Sequence, residues 1–316
     1  MNVLSLFDGM SCGRIALDRA GIDVGKYYAS EIDKYAIKVS ENNYPDIIRF
    51  GDVQGWMDWD VDWASIDLII AGSPCQGFSF AGKQLAFNDP RSKLFFVFVD
   101  ILRHIQSLNP DVKFMLENVR MKKEYLDVIT ETLGVKPVVI NSALVSAQNR
   151  VRYYWCNWDV EQPDDKEIKL ADILESGVVD RKKAHCIDAN YFKGGNLKSY
   201  FEKHRRQLVF SPDGLCHVGE ADLNGHDLIK RVYHAAGKSP TLTTMGGGHR
   251  EPKVYVAPAR WRKLTPLECE RLQTVPDGYT ACVSNTQRYK MLGNGWTADV
   301  IAHIFNCMNN GGRGDV

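Results

Sequence analysis

The chain has 316 residues, 44% of them hydrophobic and 10% aromatic, enough to bury the core of one large α/β domain plus a smaller one. Its 39 basic and 39 acidic residues cancel, which excludes a protein that coats nucleic acid indiscriminately and confines any polyanion to one cleft. No apolar run reaches the roughly 18 residues of a membrane helix, no basic region precedes the first apolar segment, and the eight cysteines form no C-x-x-C pair. Neither a membrane partner, a metal site nor a disulfide framework is therefore expected, and a reducing cytoplasm is the expected setting.

Along the first 155 residues apolar strand-like runs alternate with helical pattern. Val3-Leu4-Ser5-Leu6-Phe7 leads through Asp8-Gly9 into helical Arg14 to Leu17. Tyr27 to Glu31 precedes a helix from Lys34 to Asn43, and Asp52 closes the unit that follows. Leu68-Ile69-Ile70-Ala71 precedes a Gly/Pro-rich turn, a loop and an apolar helix over Leu94 to Ile105. Val112 to Leu116, Lys136 to Ile140 and Arg152 to Cys156 read as further strands. Such alternation predicts an α/β, Rossmann-like architecture: a mostly parallel sheet with helices on both faces. Gln162 to Lys166 reads as a linker, and Leu170 to Glu175 as a short helix leading into an irregular region. Helical pattern returns at Thr265 to Leu272, where Thr265 and Glu268 make a capping box around Pro266, and again from Trp296 to Cys307. The expected division is a discontinuous catalytic, cofactor-binding domain (1–165 and 257–309), a smaller irregular domain (166–256) and a disordered tail (310–316). Residues 1–180 carry 19 Lys/Arg against 27 Asp/Glu, and residues 181–316 carry 20 against 12 with seven of the eight histidines, so the C-terminal part is the one suited to a polyanion.

Three features carry chemistry. Leu6-Phe7-Asp8-Gly9 is a strand–glycine turn that brings backbone amides close to a ligand. It lacks the G-x-G-x-x-G spacing of a dinucleotide site, so it reads as a nucleoside pocket, with Glu31 placed for ribose hydroxyls and Asp52 for an amino group. Cys75, in Gly72-Ser73-Pro74-Cys75-Gln76-Gly77, follows a buried strand, and Glu117-Asn118-Val119 follows another. A thiol nucleophile and a carboxyl group at neighbouring strand ends suit addition to a heteroaromatic ring with simultaneous protonation. Arg150 and Arg152, at i and i+2, point to one face, where a guanidinium can hold a base oxygen, a phosphate or Glu117 itself.

Pro74-Cys75-Gln76, Glu117-Asn118-Val119 and Gln148-Asn149-Arg150-Val151-Arg152, in this order, resemble the DNA (cytosine-5)-methyltransferases of phage and bacteria. The resemblance spans residues 3 to about 155 and about 260 to 305. It implies the S-adenosylmethionine-dependent methyltransferase fold and a DNA cytosine C5 methyltransferase, with S-adenosylhomocysteine as the spent cofactor. It implies Cys75 as nucleophile, Glu117 at the base, and Arg150 and Arg152 beside it. Phe7, Gly9, Glu31, Ile32, Asp52, Pro74, Leu94 and Asn294 match cofactor positions. The base must leave the duplex to react. The resemblance makes 76–91 a lid, with Gln76, Ser79, Lys83 and Arg91 toward double-stranded DNA. It makes 166–256 the target-recognition domain, with Arg205, Arg206, Thr241 and Arg250 as candidate contacts. A monomer in a bacterial or phage-infected cell is expected, solitary or paired with a cognate restriction endonuclease.

The chain departs from bacterial members at Ser11, where they carry glycine, after Arg91, and at Trp296-Thr297, where they carry small aliphatics. Ser146 to Trp155 and Trp296 are closer to eukaryotic de novo DNA methyltransferases. The rival readings are a tRNA cytosine-5 methyltransferase of the same fold, a DNA-binding paralogue without catalysis, and a nicotinamide-dependent oxidoreductase. The paralogue would be expected to have lost Cys75 or Glu117.

Overall fold

The apolar runs of the N-terminal half assemble into one seven-stranded sheet in the computed structural model, which describes residues 1–73, 93–211, 219–220, 231–233, 253–254 and 261–310. Its strands are β1 (Val3–Leu6), β2 (Tyr27–Ser30), β3 (Ile48–Phe50), β4 (Leu68–Gly72), β5 (Lys113–Val119), β6 (Val138–Asn141) and β7 (Val151–Cys156), in the spatial order β3-β2-β1-β4-β5-β7-β6. All pairings are parallel except those of β7, which runs antiparallel between β5 and β6. The helices among the described residues are α1 (Cys12–Arg19), α2 (Lys34–Asn43), α3 (Lys93–Leu108), α4 (Lys123–Leu133), α5 (Leu197–Lys203), α6 (Pro266–Leu272), α7 (Asn285–Asn294) and α8 (Ala298–Asn310).

Strands covered on both faces need apolar residues at every position, and their two-residue period then sorts those residues between two cores. Leu4, Leu6, Ile69, Ala71 and Leu116 pack with Phe95, Phe98, Ile101 and Leu102 of α3. Val3, Leu68, Ile70 and Met115 pack on the opposite face with Ile15 and Ala16 of α1 and Val300, Ile301 and Ile304 of α8. From β1 the chain winds outward through β2 to β3, and from β4 it winds the other way through β5. The crevice beyond the carboxyl ends of β1 and β4 is thus the switch point where open α/β sheets bind ligands.

Several boundaries differ from the sequence expectation. Strand β1 ends at Leu6 because Phe7 turns to φ 58°, outside the extended region. Glu117 lies inside β5, paired with Gly72 of β4 and Tyr154 of β7, rather than beyond the strand's end. The expected helix at Leu170 is a single 3-10 turn, Leu170–Ile173, and the last helix starts at Ala298, two residues later than its pattern suggested. Helices α4 and α7 were not expected. The apolar face of α4 is short, with Tyr125 and Ile129 buried, and α7 opens on the polar run Asn285-Thr286-Gln287-Arg288. The capping box at α6 forms: Thr265 Oγ1 accepts from Glu268 N at 3.2 Å and Glu268 Oε2 accepts from Thr265 N at 2.8 Å.

Leu170, Ile173, Ala184, Ile187, Tyr191 and Val209, all beyond residue 165, belong to the same core cluster as α1 and α8. Further along, β8 (Leu208–Phe210) pairs antiparallel with β12 (Trp261–Lys263), and β9 (Gly219–Glu220), β10 (Arg231–Tyr233) and β11 (Lys253–Val254) form a small sheet. No helix among the described residues is long and apolar enough to cross a membrane.

Candidate active site

A cavity of about 330 Å³ opens at the switch point. Phe7, Gly9, Glu31, Glu117, Arg150, Arg152 and Asn294, all singled out in the sequence, line it together.

One end is a turn of backbone. Phe7, Gly9 and Ser11 alternate in the left-handed region at φ 58°, 60° and 64°. Only Gly9 adopts that conformation without a steric cost. Ser11 is stabilised there by its hydroxyl, which donates to Asp8 Oδ2 at 2.5 Å and meets Ser40 Oγ at 2.6 Å. Asp8 lies beneath the turn and also accepts from Ser5 Oγ at 2.6 Å and Tyr27 OH at 2.8 Å. Burial pushes its carboxyl above the ordinary range, against the pull of these hydroxyl bonds. Gly9 N donates to Glu31 Oε2 at 2.8 Å, and Ile32 N and Asp33 N both donate to Oε1 at 2.8 Å. Three backbone amides therefore fix this carboxylate, and Oε2 keeps a second lone pair. Asp33 caps α2 and pairs with Lys290 of α7 at 2.6 Å, tying the two helices across the cavity mouth.

The other end is built of side chains. In the antiparallel pair β5–β7, Glu117 faces Tyr154 and Val119 faces Arg152. Glu117 and Arg152 are thus diagonal neighbours on one face, within reach of long side chains. Arg152 Nε lies 3.1 Å from Glu117 Oε1, and Glu117 is only 8% exposed. Its Oε2 accepts from the Trp296 indole N–H at 3.1 Å. Asn118 Nδ2 donates to Ser73 Oγ at 3.2 Å, fastening the end of β4 to β5.

Arg150, two residues before Arg152, reaches the same cavity but faces backbone. Its Nη1 donates to Ile187 O at 3.1 Å, and its Nη2 to Gly293 O at 3.2 Å and Gly295 O at 2.8 Å. It thereby clamps the Asn294 turn to residues from beyond position 165. Cys186 Sγ accepts from Arg150 Nη1 at 3.4 Å. Burial pushes the Cys186 thiol up, and the charges of Arg150 and Arg152 outweigh it, leaving the thiol below its ordinary value.

The other expected site residues lie elsewhere. Ile32 is 73% exposed beside Glu31. Asp52 is exposed and caps a 3-10 turn, accepting from Gln54 N at 3.0 Å, and half-buried Leu94 packs on the core around α3; neither lines the cavity. Arg205 lies 3.6 Å from Asp188, and Arg206 donates to Gly194 O at 2.6 Å. Pro74, Cys75, Gln76, Ser79, Lys83, Arg91, Thr241 and Arg250 lie outside the described residues, as do 311–316 of the expected tail. Gln287, Lys290 and Met291 on the cavity wall were not singled out in the sequence; Asn118 stood only within its motif, and Trp296 had no partner there. The 3–4 residue spacing of Gln287, Lys290, Met291 and Asn294, one face of a helix, was the signal available for α7.

The sequence profile of the C-5 cytosine-specific DNA methylase family matches residues 1–310. The chain is similar to the type II methyltransferase M.HpaII of Haemophilus parainfluenzae, 30% identical over 321 residues, 92% of this chain and 84% of that protein. It is 28% identical over 331 residues to the type II methyltransferase M.HhaI of Haemophilus parahaemolyticus, 96% of this chain and 93% of the relative. Among solved structures, the methyltransferase EhMeth of Entamoeba histolytica aligns with a TM-score of 0.62 at 16% identity, over 98% of both chains. A DNMT2 of Spodoptera frugiperda aligns with a TM-score of 0.60 at 18% identity, over 98% of this chain and 99% of that one. At such identities the two structures bear on the fold, which is that of the S-adenosylmethionine-dependent methyltransferases.

Proposed function

Because the chain belongs to the C-5 cytosine-specific DNA methylase family, we propose that the cavity holds S-adenosylmethionine at its glycine-turn end and a cytosine flipped out of duplex DNA at its Glu117 end. The protein is a DNA cytosine C5 methyltransferase. The observation that carries the division of the cavity is the sharing of one space by the Glu31-anchored turn and the Glu117–Arg152 pair.

The turn fits a nucleoside cofactor. Its positive-φ residues bring backbone close, the remaining lone pair of Glu31 Oε2 suits a ribose hydroxyl, and exposed Ile32 offers an apolar face to a purine. Phe7, Gly9, Asn294 and Pro74 complete the cofactor set we propose; Leu94 and Asp52, which do not line the cavity, are left out of it. When bound, S-adenosylmethionine supplies an electrophilic methyl group.

At the other end, Cys75 follows Gly72 by three residues, a span of at most about 11 Å, and Gly72 pairs with Glu117. Cytosine C5 is a weak nucleophile until addition at C6 breaks the aromaticity of the ring. The Cys75 thiolate adds to C6, forming an S–C6 bond, and the displaced π pair moves through the ring toward C5 and N3. Glu117 meets N3 and the exocyclic amine and relays to N3 a proton taken from water, which returns to water as the ring is restored. Arg152 takes the base oxygen O2, and Arg150 keeps the surrounding turn in place. After methylation, water removes the C5 proton and the electron pair expels Cys75, restoring the aromatic ring. Gln76, Ser79, Lys83 and Arg91 in the lid, and Arg205, Arg206, Thr241 and Arg250 in a recognition domain of 166–256, are our candidates for DNA contacts. The same reading makes the protein a cytoplasmic monomer, acting alone or beside a cognate restriction endonuclease.

Incubation with methyl-labelled S-adenosylmethionine and either duplex DNA or tRNA, then digestion to nucleosides and mass spectrometry, tests the substrate. The expected product is 5-methyldeoxycytidine; label confined to tRNA, or none in either, would refute the reading. Cys75→Ser should abolish turnover while cofactor affinity stays within about threefold, and retained methylation would remove Cys75 from its role.

A further inference from the structure

Trp296 stands out in the sequence as a large indole where bacterial members carry a small aliphatic, and the reaction as described gives it nothing to do. The residue is 9% exposed and forms part of the cavity wall. Its Nε1–H donates to Glu117 Oε2 at 3.1 Å, a contact between residues 179 positions apart. The other carboxylate oxygen, Oε1, is 3.1 Å from Arg152 Nε. A glutamate's terminal torsion is broad and roughly two-fold, so a single partner leaves the carboxylate plane free to rock. The indole hydrogen bond on one oxygen is directional, and with the Arg152 guanidinium in ion-pair contact with the other it restrains the plane and the direction of the lone pairs that remain.

The surroundings are shaped to this contact. Gly72, the register partner of Glu117, lies against the indole: a Cβ there would fall 2.9 Å from Trp296 Nε1 and 3.1 Å from Cζ2. At Gly13 a Cβ would fall 3.5 Å from Trp296 Cζ3 and 2.4 Å from Ile70 Cδ1. The ring reaches the carboxylate because the strand end beneath it presents a hydrogen instead of a side chain. Trp296 also follows Gly295, whose carbonyl Arg150 holds at 2.8 Å, so the backbone that carries the indole is itself anchored.

We infer that Trp296 is a positioning residue for base activation, its indole N–H orienting the Glu117 carboxylate toward the target cytosine. The inference rests on the reading of Glu117 as the group that meets the base. It separates two steps that a pocket-lining tryptophan would otherwise affect together. Loss of the N–H slows adduct formation at C6, and cofactor binding at the opposite end of the cavity is left intact. A hydrogen bond to a charged acceptor corresponds to about a tenfold to hundredfold change in rate when it is made at the reacting group.

The adduct has its own readout. Addition at C6 gives C5 enamine character, so its hydrogen exchanges with water, and tritium release from duplex DNA containing 5-tritiated cytosine reports base activation. Trp296→Phe keeps the ring and deletes the donor. The expected result is tritium release and kcat both reduced about tenfold or more, with the cofactor Kd within about threefold of the parent. Wild-type release by Trp296→Phe would overturn the inference. So would a rise confined to the cofactor Kd, which would make the indole a wall of the cofactor site instead. Should that variant fail to fold, Gly72→Ala crowds the indole off the carboxylate without removing it, and wild-type release by that variant would refute the inference equally. Glu117→Gln separates the layers: full release by Glu117→Gln would sink the role of Glu117 and this inference with it. Impaired release by Glu117→Gln beside normal release by Trp296→Phe would sink this inference alone.

Discussion

At the glycine-turn end of the cavity the contacts are made by main chain: three positive-φ residues in alternation, and three amides converging on Glu31. At the other end the contacts of Glu117 are with side-chain atoms: a guanidinium and an indole, brought to the carboxylate from a strand and a turn far apart in sequence. A backbone-built site depends on conformations that several residues can adopt, whereas a site built from side chains depends on single atoms. Substitutions at the first end should therefore shift binding or stability by modest amounts. Those at the second should cut the rate steeply.

The sharpest contrast is expected from Glu117→Gln, which keeps volume and removes the charge. Turnover should fall about 10²- to 10⁴-fold while calorimetric cofactor affinity changes less than about threefold. A loss of affinity to match the loss of rate would break the division of the cavity into two ends. Arg150→Met should act on stability, because the clamp links the Asn294 turn to Ile187 and leaves buried carbonyls without their donor. Unfolding in urea should show a loss of about 2–4 kcal/mol. A stable but inactive Arg150→Met would instead give Arg150 a direct role at the base. Glu31→Ala should weaken cofactor binding about tenfold to a hundredfold, with kcat at saturating cofactor near the parent's. Smallest of all, Ser11→Ala should cost about 1–2 kcal/mol, since it keeps the left-handed strain and loses the bonds to Asp8 and Ser40. Ser11→Gly should cost less, because glycine relieves strain of about 1–2 kcal/mol. If the two variants melt alike, the hydroxyl is not what holds the turn.

Much of the site was legible because its parts sit in short segments whose chemistry is local. Asp8-Gly9 after an apolar run, Glu31 at the next strand end and Glu117-Asn118-Val119 each announce a strand terminus and a reactive group within a few residues. Arg150 and Arg152 were correctly placed on one face by the two-residue period alone. Their different duties were not legible: one guanidinium meets a carboxylate and the other clamps carbonyls, because different elements pack against each. The departure at Ser11 looked like a loss of glycine. Its contacts with Asp8 and with Ser40, the latter brought close by the packing of α2, show how a serine is stabilised there.

The sequence by itself determined the alternation of strands and helices, the two-sided burial of the sheet and the charged residues, Glu31, Glu117, Arg150 and Arg152, that line the cavity. These follow from hydrophobic period and backbone preference, which act over a few residues. The tertiary structure decided the insertion of β7 between β5 and β6, the pairing of Gly72 with Glu117, and the arrival of Trp296 beside a carboxylate 179 residues away. Those are matters of strand order and register, fixed by burying two faces of one sheet at once, and no local pattern encodes them.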